Sequence, residues 1–154
     1  MDEVTIRQAE PEDRAELAVL FHCLWPKGSI QEHASELALL LQSKFPASLP
    51  GVIFVAHDRQ NGLVGFIEVD LRSHADGCEP SRPVGYVEGW YVVPGYRRRK
   101  IAARLLTAAE EWARSNGCRE MASDTWLDNL TSQHVHEALG FEVVERSVLY
   151  RKDL

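Results

Sequence analysis

The sequence predicts a mixed α/β fold in which one sheet carries helices on both faces. Three observations point there. Stretches of helical spacing interleave with stretches of strand alternation. The strand-like runs between residues 52 and 93 follow one another through turns, as in a meander. The 154 residues suit one core, so a single domain spanning 1–154 is expected.

Val4-Thr5-Ile6-Arg7-Gln8 alternates and reads as a first strand. Glu10-Pro11-Glu12-Asp13 opens a helix, with Pro in the first turn and acids at the positive end of its dipole. Ala15, Ala18, Val19, Phe21 and Leu24 are the expected inner face, and Pro26 ends the helix. Residues 32–42 form a second helix with Leu37, Leu40 and Leu41 on one side. Residues 52–56 are an apolar strand, 58–62 a turn and 63–71 the next strand. A polar loop through Asp76-Gly77-Cys78-Glu79-Pro80-Ser81 leads to a strand over 84–93, broken by Pro94-Gly95. A long helix starts near Arg99. Ile101, Leu105, Leu106, Ala109 and Trp112 keep its period, and Gly117 caps it. Residues 120–123 are a short strand, 130–139 a helix stopped by Gly140, and 141–150 a closing strand, bent or split in two.

Composition excludes several classes. A formal net charge of −6 disfavours sequence-independent nucleic-acid binding and favours gathering of cationic ligands. No run is long and apolar enough for a membrane span and no signal pattern opens the chain, so a cytoplasmic protein is expected. Cys23, Cys78 and Cys118 are scattered and odd in number, which argues against a disulfide framework or a zinc site.

The most informative stretch runs from Glu88-Gly89-Trp90-Tyr91-Val92-Val93 through Pro94-Gly95-Tyr96 to Arg97-Arg98-Arg99-Lys100-Ile101-Ala102. A strand ends at a Pro-Gly break, and a basic loop runs into a helix. Unpaired N–H groups at such a start converge on one spot, with the dipole adding positive potential, which suits a pyrophosphate. A solvated basic patch at a helix start is the plainer alternative.

Arg97-Arg98-Arg99-Lys100-Ile101-Ala102 resembles the coenzyme A signature of the GNAT superfamily, Arg/Gln-x-x-Gly-x-Gly/Ala, with Lys100 in place of the first glycine. A lysine there can still bind the phosphate if its backbone conformation is ordinary and its side chain points away. Asp128-Asn129 and Ser132, followed by His136-Glu137-Ala138-Leu139-Gly140-Phe141, resemble the second GNAT segment. The resemblance implies a mostly antiparallel central sheet and acetyl-CoA as cosubstrate, with no metal. It implies cofactor contacts from Trp90, Tyr91, Val92, Arg97, Arg98, Arg99, Lys100, Ile101, Ala102 and Asn129.

Leu24-Trp25-Pro26, Val87-Glu88-Gly89, Gly117-Cys118-Arg119-Glu120-Met121-Ala122-Ser123-Asp124-Thr125 and the segment from Gly140-Phe141-Glu142 through Glu145 to Tyr150-Arg151-Lys152 resemble the short aminoglycoside 6′-N-acetyltransferases. That resemblance implies a substrate pocket lined by Trp25, Glu88, Asp124 and Glu145, and a homodimer. The substrate is then a cationic aminoglycoside acetylated at its 6′-amine. An aromatic ligand contact that relatives place after the third strand has no counterpart here, where Ser73-His74-Ala75-Asp76 stands.

Strand alternation places Glu88, Trp90 and Val92 on one face, beside the thioester. The expected reaction is direct attack of a neutral amine in a ternary complex. Backbone N–H groups around Trp90 to Val92 then serve the oxyanion and the pantetheine arm. Cys118 is expected to be a small buried residue and not a nucleophile. The catalytic acid and base stay open between Glu88, water and His136, which stands where many GNAT enzymes have a tyrosine. Two other functions remain: a GNAT enzyme acting on a polyamine or a protein N-terminus, and a non-catalytic acyl-CoA sensor.

Overall fold

The computed structural model describes residues 3–42 and 49–154. Its elements are β1 (Val4–Gln8), α1 (Arg14–Leu24), α2 (Ile30–Leu40), β2 (Gly51–Asp58), β3 (Gly62–Arg72), β4 (Val84–Val92), α3 (Ile101–Ser115), β5 (Met121–Ser123) and α4 (Leu130–Ala138). The five strands lie in sequence order, antiparallel except for the parallel pair β4–β5. The expected mixed sheet is therefore present.

The two faces are covered by different helices. On one, Leu17 and Phe21 of α1 and Leu37 of α2 pack on Ile53, Val55 and Phe66. On the other, Ile101, Leu105 and Ala109 of α3 pack on Val52, Ile67, Val69 and Val87. Burying these side chains removes apolar surface from water and fixes both layers on the sheet.

Local chemistry sets the helix starts. Pro11–Asp13 forms a 3-10 turn, and Oδ2 of Asp13 accepts from the Glu10 N–H at 2.8 Å and from Arg7 Nη1 at 2.7 Å. A capping box starts α2: the Glu32 N–H donates to Ser29 Oγ at 3.1 Å, and the Ser29 N–H to Glu32 Oε2 at 2.9 Å. Gly117 turns left-handed (φ 86°) after α3, as its capping role requires.

Three expectations are corrected. The inner face of α1 is Leu17, Ala18, Leu20 and Phe21, while Val19 is 47% exposed and Ala15 is also exposed. The 3-10 turn rotates the helix start and shifts the buried stripe. The long helix begins at Ile101, because the residues before it hold a non-helical turn. The segment 141–150, expected as a closing strand, pairs with no strand among the described residues. It runs as an exposed arm.

Cys118 is 5% exposed, as expected of a small buried residue, and the three cysteines are free. Among the described residues no helix is long and apolar enough to cross a membrane.

Candidate active site

The β4–β5 pairing covers only Gly85–Val87 against Met121–Ser123. Beyond it the strands part, so the β4 backbone from Glu88 onward faces a gap. The gap leads to the Pro94–Tyr96 turn and the four cations before α3. Arg98 (φ 64°) and Lys100 (φ 61°) are both left-handed. The backbone at Lys100 is not ordinary: lysine adopts the conformation a glycine would take there. Each such residue costs roughly 1–2 kcal/mol. Conformations of alternating hand turn successive N–H groups to one side and form an anion-binding nest. The 15-residue α3 adds its dipole.

The predicted cofactor residues divide by how they contribute. Ile101 is 2% exposed and anchors the helix in the core, so its backbone N–H is what it offers. Arg97 is exposed but tied to the end of β4: its Nε donates to the Val92 carbonyl at 2.9 Å, and its guanidinium lies 5.7 Å from the Tyr91 ring. The Arg99 guanidinium lies 4.8 Å from the Tyr96 ring. Arg98 and Lys100 are exposed and Ala102 is half-buried. Asn129 caps α4, its Oδ1 accepting from the Ser132 N–H at 3.1 Å.

The acidic side is built by a bulge. Glu68 pairs with Gly89, but Val69 pairs with Val87, so Glu88 is an extra residue in β4. Simple alternation put Glu88 with Trp90, and the bulge overturns that. Glu88 shares a face with Arg72 and Tyr86, while Trp90 packs on the α3 side. Arg72 donates to Glu88 Oε1 from Nε at 3.0 Å and from Nη2 at 2.6 Å. Burial, then the neighbouring Asp124 charge, pushes the Tyr86 hydroxyl up to about 12. Asp124 and Glu145 line a groove of about 830 Å³ with Arg72 and Tyr86. Glu88 borders the same region through Arg72.

Trp25 ends α1, its ring centroid 5.1 Å from that of Phe21 and 6.1 Å from that of Phe66. It lies against Gly89, where a Cβ would overlap its ring and stand 3.2 Å from Phe66. The aromatic wall thus depends on a missing side chain.

His136 of α4 faces the gap between β4 and β5. Its Nδ1 lies 2.7 Å from the Ser132 carbonyl, which only accepts, so Nδ1 carries the proton. In the neutral ring Nε2 then accepts from Ser123 Oγ at 2.8 Å. The ring meets Trp90 edge-on at 5.4 Å, and the Trp90 Nε1 is buried without a partner.

Sequence reasoning missed Ser123, Glu68 and Asp70. The available sign for the two acids was their alternate placement in an otherwise apolar run, Phe66-Ile67-Glu68-Val69-Asp70-Leu71. Burial pushes the Glu68 carboxyl up to about 8 and the Asp70 carboxyl to about 6. Among the described residues no group of three or more His, Cys, Asp or Glu could hold a metal ion.

The acetyltransferase (GNAT) family matches residues 16–141. The chain belongs to the GNAT family. Within it, the chain is 40% identical over 149 residues to the aminoglycoside N(6′)-acetyltransferase type 1 of Klebsiella aerogenes, covering 97% of this chain and 96% of that one. The enzyme of the same name from Serratia marcescens is 44% identical over 85% of this chain and 86% of its own. The solved structure of AAC(6′)-Iy with a bisubstrate analogue, CoA-S-monomethyl-acetylneamine, superposes with a TM-score of 0.86 at 36% identity, covering 98% and 99% of the two chains.

Proposed function

We propose that this GNAT chain transfers an acetyl group from acetyl-CoA to the 6′-amine of an aminoglycoside, a modification that confers antibiotic resistance. One observation carries the reading. A nest of left-handed residues at a helix start stands at one end of the parted strands, and Glu88 and Asp124 stand at the other. An anionic cosubstrate and a polycationic acceptor are the ligands this polarity suits. The relatives' names and the bisubstrate complex support the same pairing.

In this reading the nest and the first N–H groups of α3 take the diphosphate, and Trp90, Tyr91 and Val92 offer backbone groups to the pantetheine arm. Arg97 ties the turn to the end of β4, and Asn129 caps α4. Trp25, Glu88, Asp124 and Glu145 receive the sugar and its ammonium groups. The attacking amine gives its proton to Glu88 or to water, and the departing thiolate takes one from water, or from His136 when its ring carries both protons.

The exposed arm supports a homodimer. Val143 is 54% exposed, Val148 67%, Leu149 86% and Tyr150 93%. An apolar extended segment with no ladder of its own fits a second copy of this chain. We further take the protein to be one domain working in the cytoplasm.

The test is thiol release from acetyl-CoA with kanamycin, spermidine and a peptide, with the acetylated position of the product read by NMR. Turnover of kanamycin at N-6′ is expected. Acetylation of the peptide or spermidine alone would refute the substrate, and acetyl-CoA binding without turnover would favour a sensor.

A further inference from the structure

Two more carboxylates stand close enough to Glu88 to feel its charge. Glu68 and Asp70 stand two residues apart on β3, on the face that carries Phe66, Tyr86 and Glu88. Glu68 is only 8% exposed. No hydrogen bond or ion pair reaches its carboxylate from any described residue, and the charges bearing on it are Asp70, Glu36 of α2 and Glu88, all anionic. Oδ1 of Asp70 is also buried without a partner. Arg72 is the cation that bears on Asp70, but its bonds go to Glu88.

Buried carboxylates are ordinarily paired or hydrogen-bonded. Here two stand on one face, and among the described residues the only cation bearing on either is Arg72, whose bonds go to Glu88, so a ligand's positive charge would complete them. The surroundings say which kind. Gly89, the cross-strand partner of Glu68, is the residue on which the Trp25 ring rests. Carboxylates beside an aromatic wall suit an ammonium group on a sugar ring, whose C–H face meets the indole. Among the described residues no third His, Cys, Asp or Glu joins them into a group that could hold a metal ion.

We propose that Glu68 and Asp70 form an inner subsite for a second ammonium group of the aminoglycoside, one that is not acetylated. The proposal rests on the aminoglycoside reading and deepens it, because it makes a second amine a determinant of specificity. Filling the subsite requires ionised carboxylates. Burial holds Glu68 up at about 8, so near neutral pH it must give up a proton as the ammonium arrives.

The test is calorimetric titration of kanamycin into the full chain at pH 7, in buffers of different ionisation enthalpy. For the wild type, the buffer dependence should report release of close to one proton. Glu68→Gln and Asp70→Asn should each weaken kanamycin binding about tenfold, with acetyl-CoA affinity kept within about twofold as the check on folding. Glu68→Gln should also abolish most of the proton release, which loss of packing alone would not single out. Kanamycin affinity unchanged in both folded variants overturns the subsite and leaves the aminoglycoside reading standing. A wild-type chain that neither binds nor acetylates kanamycin overturns both.

Discussion

Arg72 holds Glu88 from two nitrogens while its guanidinium carbon lies 3.5 Å from the centre of the Tyr86 ring. The arginine is thus held between a carboxylate and the face of an aromatic ring. Glu88 is already bonded at Oε1. Glu88→Ala should raise KM for an aminoglycoside about ten- to a hundredfold, corresponding to roughly 1.5–3 kcal/mol for one charged contact. KM for acetyl-CoA should move little. Equal losses toward both ligands would make Glu88 a structural partner of Arg72. Because part of the attraction is steering of a polycation, added salt should also raise the aminoglycoside KM of the wild type, and a flat response would contradict the acidic cleft.

Lys100 stands in a left-handed conformation that costs a lysine roughly 1 kcal/mol and a glycine almost nothing. Lys100→Gly should therefore keep the turn, leave the melting temperature equal or slightly higher and hold KM for acetyl-CoA within about threefold. Lys100→Ile places a β-branched residue where φ is positive. It should lower the melting temperature by several degrees and raise the acetyl-CoA KM about tenfold. If glycine and isoleucine behave alike, the nest is not what binds the coenzyme.

The strands and helices were legible in the sequence because their periods are strong. The run 101–113 and the apolar strand 52–56 needed only spacing and turn residues to be placed. The signature from Arg97 to Ala102 and the acids Glu88 and Asp124 were legible as residues, but the facing of Glu88 was not. A bulge is a one-residue defect in pairing between strands, and the hydrophobic pattern of β4 alone does not encode it. Glu68 was hidden for a related reason. An acid in a strand usually marks the solvent side, and only the packing of α1 and α2 over that face makes it buried. The closing strand was misread because an extended, alternating segment states its conformation without stating whose strand it joins.

The arm from Phe141 onward tests that last point. It leans on the polar loop at Gly77, where a Cβ would stand 2.8 Å from Val144, and then leaves the body of the chain. Leu149→Asp should shift the protein from dimer toward monomer in light scattering and lower its melting temperature in a concentration-dependent way. A wild-type monomer, or a dimer unchanged by aspartate at position 149, would mean that the arm is not the interface.

Glu68 also leaves a mark on stability in the absence of any ligand. Its folded-state carboxyl lies at about 8 against an ordinary 4.5, raised by burial first and then by Asp70, Glu36 and Glu88. The folded chain therefore keeps a proton that the unfolded chain gives up. Its neutral form is tolerated fully below about pH 4.5, and stability falls as pH rises toward 8, by an amount on the order of a few kcal/mol. Asp70, raised to about 6, adds to the fall at the lower end of that range. Asp13, Asp58 and Glu79 are held below their ordinary values, so their contribution is lost only in acid and leaves this window clear. The wild-type melting temperature should drop by several degrees between pH 5 and 9, and the drop should be distinctly smaller in Glu68→Gln, which cannot ionise. Parallel curves for the two proteins in scanning calorimetry would show that the Glu68 carboxylate reaches water in the folded chain.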